Sequence, residues 1–388
     1  MKIIGTEYIT DIIDKCDDTL NALMSMGMAP NQEKLFERRF SVTETAEMVG
    51  RSRATLYRAD DELGLDLEKN ENSGRVKGYS LEQINKLRDH FGTRPTRKSD
   101  DPCVRLAVQS FKGGVSKSVS TVYLAQYLAL KGYRVLIIDC DPQASATSSF
   151  GFVPDSVFTE KDTISRFLEG SEETLDYAII KTYFDGIDLI PSCLPLYEAE
   201  FGLFNAVAHA ESNEERASYY FEFSRAIDSV EERYDVVLLD SPPSLGTISI
   251  NILLAATAVV VPSPPSLYDF ASTTQYFRMV KRVIENIAPE KVYDFIKVLP
   301  AKVERGKGRQ MEFLNIMRDR FGNSILRSVF SMTSAIPNTA SLYQTVYDQS
   351  KKDAKTMTML DSVFSEIETE IRKCWPSQAK ALEEEGVV

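Results

Sequence analysis

The chain has 388 residues, 43% of them apolar and 26% charged, with a formal net charge of −12 at pH 7; that length calls for two or three domains, and that composition excludes a disordered or fibrous protein. No apolar run approaches the roughly 20 residues of a membrane span, and acids in the first eighteen residues argue against a signal peptide. Five scattered cysteines without a C-x-x-C pair speak for reduced thiols in a cytoplasm, and against a disulfide framework, a zinc site or an iron–sulfur centre.

In chain order, residues 5–28 place Ile9, Ile12, Ile13, Cys16, Leu20 and Leu23 at steps of three and four, with Asp11, Asp14, Asp17 and Asp18 mostly between them. This spacing predicts an amphipathic helix whose stripe packs either against a second copy, making a dimer contact, or against its own chain. The span Ser41–Arg58 has a helix-turn-helix pattern: a short helix containing Ala46, Gly50 at the turn, and a second helix from about Ser52 with Leu56 inward. That arrangement presents Arg51, Arg53, Thr55 and Arg58 to phosphates and base edges, although a generic helical hairpin has the same pattern. Residues 75–84 read as a wing and a further helix, bringing Arg75 and Lys77 to the same surface. From Arg75 to Lys98, seven basic residues (Arg75, Lys77, Lys86, Arg88, Arg94, Arg97, Lys98) stand against two acids (Glu82, Asp89), a local excess within an acidic whole. Arg94–Pro102 reads as a polar, proline-bracketed linker.

Beyond it, apolar runs alternate with helical patterns: Val104–Val108, Val135–Ile138, Ile187–Ile190, Val236–Leu239, Ala258–Val261 and Phe295–Leu299. Unbroken runs of this kind suit strands buried on both faces, so the expected fold is a doubly wound α/β domain with a mostly parallel sheet. The boundaries expected are a helix in 1–30, a winged helix-turn-helix domain in 31–98 and the α/β domain in 99–388.

The first run leads directly into Phe111-Lys112-Gly113-Gly114-Val115-Ser116-Lys117-Ser118 and then a helical pattern from Val119. Strand, glycine loop and helix form a phosphate cradle, with backbone N–H groups at the helix start pointing inward. Lys117 would reach the β- and γ-phosphates and Ser118 would ligate Mg²⁺. As an ordinary G-x-x-x-x-G-K-[ST] motif the stretch fails at Phe111 and at Ser116; as K-G-G-V-x-K-[ST] it fits, and so resembles the deviant Walker A box of the ParA/MinD superfamily. Val135–Gln143 then resembles the family's D-x-D-P-Q motif, and Tyr234–Pro243 its Walker B strand ending Asp-Ser-Pro-Pro.

The resemblance, which covers roughly residues 104–350, implies an Mg²⁺-dependent ATP hydrolase working as a sandwich homodimer. Nucleotide would be bound by Lys112, Gly113, Gly114, Val115, Ser116, Lys117, Ser118 and Val119, and Lys112, the signature lysine, would touch the partner's phosphates. Asp141 would orient the attacking water. Ser118, Asp139 and Asp240 would serve the metal, Asp139 and Asp240 having helix capping or structural hydrogen bonding as their alternative roles. The loop containing Pro262 would lie along the base and the dimer interface. The order of helix, helix-turn-helix and ATPase resembles the long ParA partition proteins that also repress their own operon. The resemblance therefore implies slow hydrolysis stimulated by a ParB-type partner, operator DNA read by the N-terminal domain, and nucleoid DNA bound without sequence preference by late basic residues. Lys351, Lys352 and Lys355 are the candidates for that patch, with Arg305, Lys307 and Arg309 either adding to that surface or lying near the base; a solvated lysine cluster would look the same. The acidic tail Ala379–Gly386 has the wrong sign for an anionic membrane. The other reading is a dedicated transcriptional repressor for which ATP is only a conformational effector.

Overall fold

The computed structural model describes residues 5–25, 34, 36–70, 76–304, 306–349 and 353–386. Its centre is a sheet of eight strands: β1 (Val104–Val108), β2 (Val135–Asp139), β3 (Ile180–Lys181), β4 (Ile187–Ile190), β5 (Val236–Asp240), β6 (Ala258–Ser263), β7 (Phe295–Val303) and β8 (Phe330–Ser331). The spatial order is β3-β4-β2-β5-β1-β6-β7-β8, and every pair is parallel except β3 with β4. The long apolar runs are strands because helices cover both faces; β2, β4, β5 and β6 are buried at every position. From β1 the chain winds to β2 on one side and later to β6 on the other. The crevice at the carboxyl end of β1 is thus the topological switch point at which ligands bind in open α/β sheets. Pro262, expected in a loop, lies inside β6 opposite Leu299. A proline is tolerated there because β1 pairs with β6 only as far as Val260, so no ladder bond from β1 is lost.

Four helices precede the sheet: α1 (Thr6–Ser25), α2 (Val42–Val49), α3 (Arg53–Leu63) and α4 (Leu81–Phe91). The last three are each capped by sequence-local chemistry. Ser41, Ser52 and Ser80 accept the N-terminal N–H groups, Glu44 and Gln83 return the bond as capping boxes, and Gly50, Gly64 and Gly92 close the helices in the left-handed conformation. Antiparallel bridges Phe40↔Tyr79 and Lys69↔Val76 complete this unit. By contrast α1 leaves Tyr8, Ile9, Ile12 and Ile13 exposed.

The three-helix unit is seated on the sheet domain through α4. Arg88, 2% exposed, donates to Met48 O at the end of α2, to Asn85 Oδ1, and to Leu130 O at the end of α5 (Lys117–Lys131). Asn85 Nδ2 donates to Asp185 Oδ2 at 2.6 Å. The expected linker is a pinned strap. Arg94 donates to Gly132 O, Arg97 to Tyr234 O, Glu231 O and Asp101 O, and the C-terminal segment holds its far end through Trp375 Nε1 to Pro102 O and Ser377 N to Asp101 Oδ1. Lys77 and Lys86 are taken by Glu68 and Glu82. Of the seven basic residues expected to form a local excess, Arg75 lies outside the described residues, while Arg88, Arg94 and Arg97 build the junction. Their fork of donors is matched to carbonyl oxygens rather than left to solvent.

Candidate functional site

The stretch between β1 and α5 forms a tight loop. Its shape rests on two left-handed residues, Gly114 at φ 70° and Ser116 at φ 79°. Glycine adopts such a φ freely, whereas serine pays about 1–2 kcal/mol for it. Phe111, which stands where an ordinary phosphate loop has its first glycine, packs edge-on against Tyr276 at 5.1 Å; Tyr276 in turn donates to Gln109 Oε1. The departure from the ordinary motif is thus built into the core beneath the loop.

Lys117, the first residue of α5, is 6% exposed; burial pushes its ammonium pKa down, while Asp240 and Asp141 oppose that shift. Its Nζ donates to Lys112 O at 3.3 Å, so the amine lies curled under the loop it would serve. Val115 is buried and Val119 half-buried, and Gly113 approaches Pro243 after β5. Lys112 is exposed, and its ammonium is paired with Asp269 in the first turn of the helix Leu267–Ile287.

Asp139 and Asp240 end β2 and β5 and Asp141 follows two residues past β2; the three carboxylates differ in what occupies them. Asp139 accepts from Asp141 N at 3.2 Å, from Thr147 N at 2.8 Å and from Thr147 Oγ1 at 2.7 Å. Both of its oxygens accept bonds from within the protein, and these shape the loop Cys140–Ala144 and the helix start after it. Asp141 is 8% exposed and accepts from Gln143 N at 3.0 Å. Asp240, opposite Asp139 in the ladder, accepts from Thr121 Oγ1 at 3.1 Å, while its Oδ2 is buried without a hydrogen-bond partner. Burial, then the charge of Asp139, raises the Asp240 pKa, against lowering from Ser118, Lys117 and Thr121. An orphaned carboxylate oxygen beside a helix-start hydroxyl and a second buried carboxylate is a donor set short of positive charge; a hard divalent cation such as Mg²⁺ fits it.

The residues expected to meet DNA fall into three groups. Arg53 and Arg58 are exposed on α3 beside exposed Tyr57. Arg51 is folded back on its own unit, donating to Gly50 O and lying 5.4 Å over the Phe91 ring, and the Thr55 hydroxyl shares the helix cap with Ser52 at 2.8 Å. These two, with ion-paired Lys77, are occupied within the chain. Arg75, Lys351, Lys352 and Arg305 lie outside the described residues. Lys355 is exposed at the start of the helix Ala354–Lys373 and lines a groove of about 860 Å³ with Arg318 and Arg327. In it Arg318 Nε and Ser331 Oγ are buried without partners. Lys307 is paired with Glu304, and Arg309 stands exposed in the following helix. Arg318 and Arg327 lie far from the lysine cluster along the chain, so no local sequence pattern joins them to it. Among the described residues no helix is long and apolar enough to cross a membrane.

Residues 104–292 match a family model described as an AAA domain. The chain is 34% identical over 326 residues to Protein SopA of Escherichia coli strain K12, covering 83% of either chain. A solved partition protein matches with a TM-score of 0.64 at 20% identity, over 93% of this chain and 98% of that one, a likeness of fold. Cobyrinic acid a,c-diamide synthase from Mycobacterium smegmatis, solved with ADP and magnesium, matches with a TM-score of 0.52 at 27% identity, over 64% of this chain and 93% of that one.

Proposed function

The chain belongs to the ParA family of partition ATPases, and from that premise we propose that it binds ATP with Mg²⁺ at the loop Lys112–Ser118 and hydrolyses it slowly as a homodimeric switch for DNA segregation. The observation that carries this reading is Lys117, buried at the start of α5 in the field of Asp141 and Asp240. Such an amine is held in place for an anion that enters from the loop side. Gly113 to Val119 wrap the phosphates. Asp141, at the crevice and engaged on one oxygen only by Gln143 N, orients water for attack. Ser118 and the free Oδ2 of Asp240 would hold the metal, which would supply positive charge to the polyphosphate. Lys112 leaves Asp269 to reach the partner's phosphates.

In the same reading, the exposed stripe of α1 contributes to the dimer, Arg53 and Arg58 read operator DNA, and the groove of Arg318, Arg327 and Lys355 takes nucleoid DNA without sequence preference, placing the protein on the nucleoid. A DNA-bound ParB-type protein accelerates hydrolysis. One observation supports the rival, a repressor with ATP as effector: Arg88 ties α2 directly to the far end of the helix that starts at the phosphate loop. The test is phosphate release by the full chain, with and without its partner protein and operator DNA, alongside sedimentation in ADP and in ATP. Stimulation together with ATP-dependent association supports partition. Operator binding without stimulation supports the repressor, and absence of any hydrolysis or nucleotide-dependent association overturns both.

A further inference from the structure

Sheet strands β1, β2 and β5 end at the crevice, but β7 runs on. It has nine residues, and its pairing with β6 finishes at Ser263↔Pro300, leaving Ala301–Val303 past the end of that neighbour on the phosphate-loop side. At that point the register with β8 breaks between Ala301 and Val303, and Lys302 adopts φ 52°. A side-chain-bearing residue rarely holds that conformation unless its surroundings impose it. Gln310 imposes it here: its Nε2 donates to Lys302 O at 3.2 Å and its Oε1 accepts from Glu304 N at 2.7 Å, clamping the backbone on both sides of Val303. The result aims an exposed side chain across the crevice, with Lys302 Nζ 4.0 Å from the position a Cβ would take on Gly114. Among the described residues this ammonium has no ion-pair or hydrogen-bond partner, unlike Lys112, which is held by Asp269.

We propose that Lys302 is a further phosphate-binding residue, closing over the polyphosphate of a nucleoside di- or triphosphate held in the loop of its own chain. The inference rests on the nucleotide site described above. A bulge, a left-handed residue and a two-sided glutamine clamp deliver a third lysine amine to the one stretch of backbone that Gly114 keeps free of side chain, and a bound phosphate gives that amine the counter-charge it lacks.

The informative variant is Lys302→Gly, because glycine accepts the left-handed conformation while the amine is removed. Titration of the full chain with a fluorescent ADP analogue should give an affinity lower by about ten-fold or more, the scale of one charge-assisted hydrogen bond. The thermal midpoint without nucleotide should be unchanged or higher. Lys302→Gln should lose affinity to the same extent and Lys302→Arg should retain most of it. Unchanged ADP affinity in both Lys302→Gly and Lys302→Gln overturns the proposal. If instead the unsubstituted chain binds no ADP, or Lys117→Ala binds as tightly as it does, the nucleotide site itself has been misassigned.

Discussion

Around Arg88 each side-chain nitrogen meets an oxygen: Met48 O, Asn85 Oδ1 and Leu130 O. Around Lys117 the account does not close: Asp240 Oδ2 is buried without a partner, and Lys302 waits beside Gly114 with none among the described residues. Both regions concentrate charge, and by residue counting the segment Lys77–Lys98 is the more basic. The difference lies in satisfaction. A guanidinium matched to backbone carbonyls is joinery, and its loss is felt in stability. Unmatched groups converging on a left-handed loop are waiting for something from outside, and their loss is felt in binding and turnover.

The sharpest way to break that contrast is at Asp141. Asp141→Ala should keep nucleotide binding while phosphate release falls by ~10²-fold or more; hydrolysis at the unsubstituted rate would move the water-handling role elsewhere. Next comes the junction. Arg88→Ala leaves two carbonyls and Asn85 without their donor, and should lower stability in urea by about 2–4 kcal/mol. ADP affinity should change little, and a comparable fall in affinity would mean the two regions are not separable. The third concerns pH. Asp240 and Asp139 have carboxyl pKa values raised by burial. Their contribution to stability is therefore present at low pH and is lost as pH rises through the folded values. A bound cation offsets that loss, so the rise in thermal midpoint on adding Mg²⁺ and nucleotide should be larger at about pH 8 than at about pH 5. A gain independent of pH would separate the carboxylates from the metal. The smallest effect is expected at Ser116. Ser116→Gly relieves a positive φ and should raise stability by ~1 kcal/mol without weakening ADP binding; a destabilised variant would point to work done by the serine side chain.

The same contrast explains what could be read from the chain beforehand. The expected strand runs agree with β1, β2, β4, β5, β6 and β7 to within a few residues, because burial on both faces writes itself into consecutive residues. The helix ends around Ser41, Gly50 and Ser52 were equally legible, since caps are local chemistry. The phosphate loop stood out for the same reason: Lys112, Gly113, Gly114, Lys117 and Ser118 are neighbours in sequence. What escaped depends on distant partners. Thr147 decides that Asp139 is occupied, Leu130 that Arg88 is a bolt, Asp269 that Lys112 is held, and Gln310 that Lys302 faces the crevice. The short strands β3 and β8, two residues each, carry no pattern long enough to recognise.

The strap between the three-helix unit and the sheet also sets a clock. Pro102 and Asp101 are fixed by Trp375 and Ser377, partners 273 and 276 residues later in the chain. During synthesis at roughly 5–20 residues per second, those partners emerge about fifteen seconds to a minute after the strap itself. The three-helix unit, capped by its own serines and glycines, has what it needs to form as soon as it leaves the ribosome. The strap beneath it is complete only once Trp375 and Ser377 have been added. A chain not yet extended to Trp375, or clipped before it, would thus carry the three-helix unit on a loosely held neck, and protease sensitivity within Arg94–Pro102 should report whether that segment is in place.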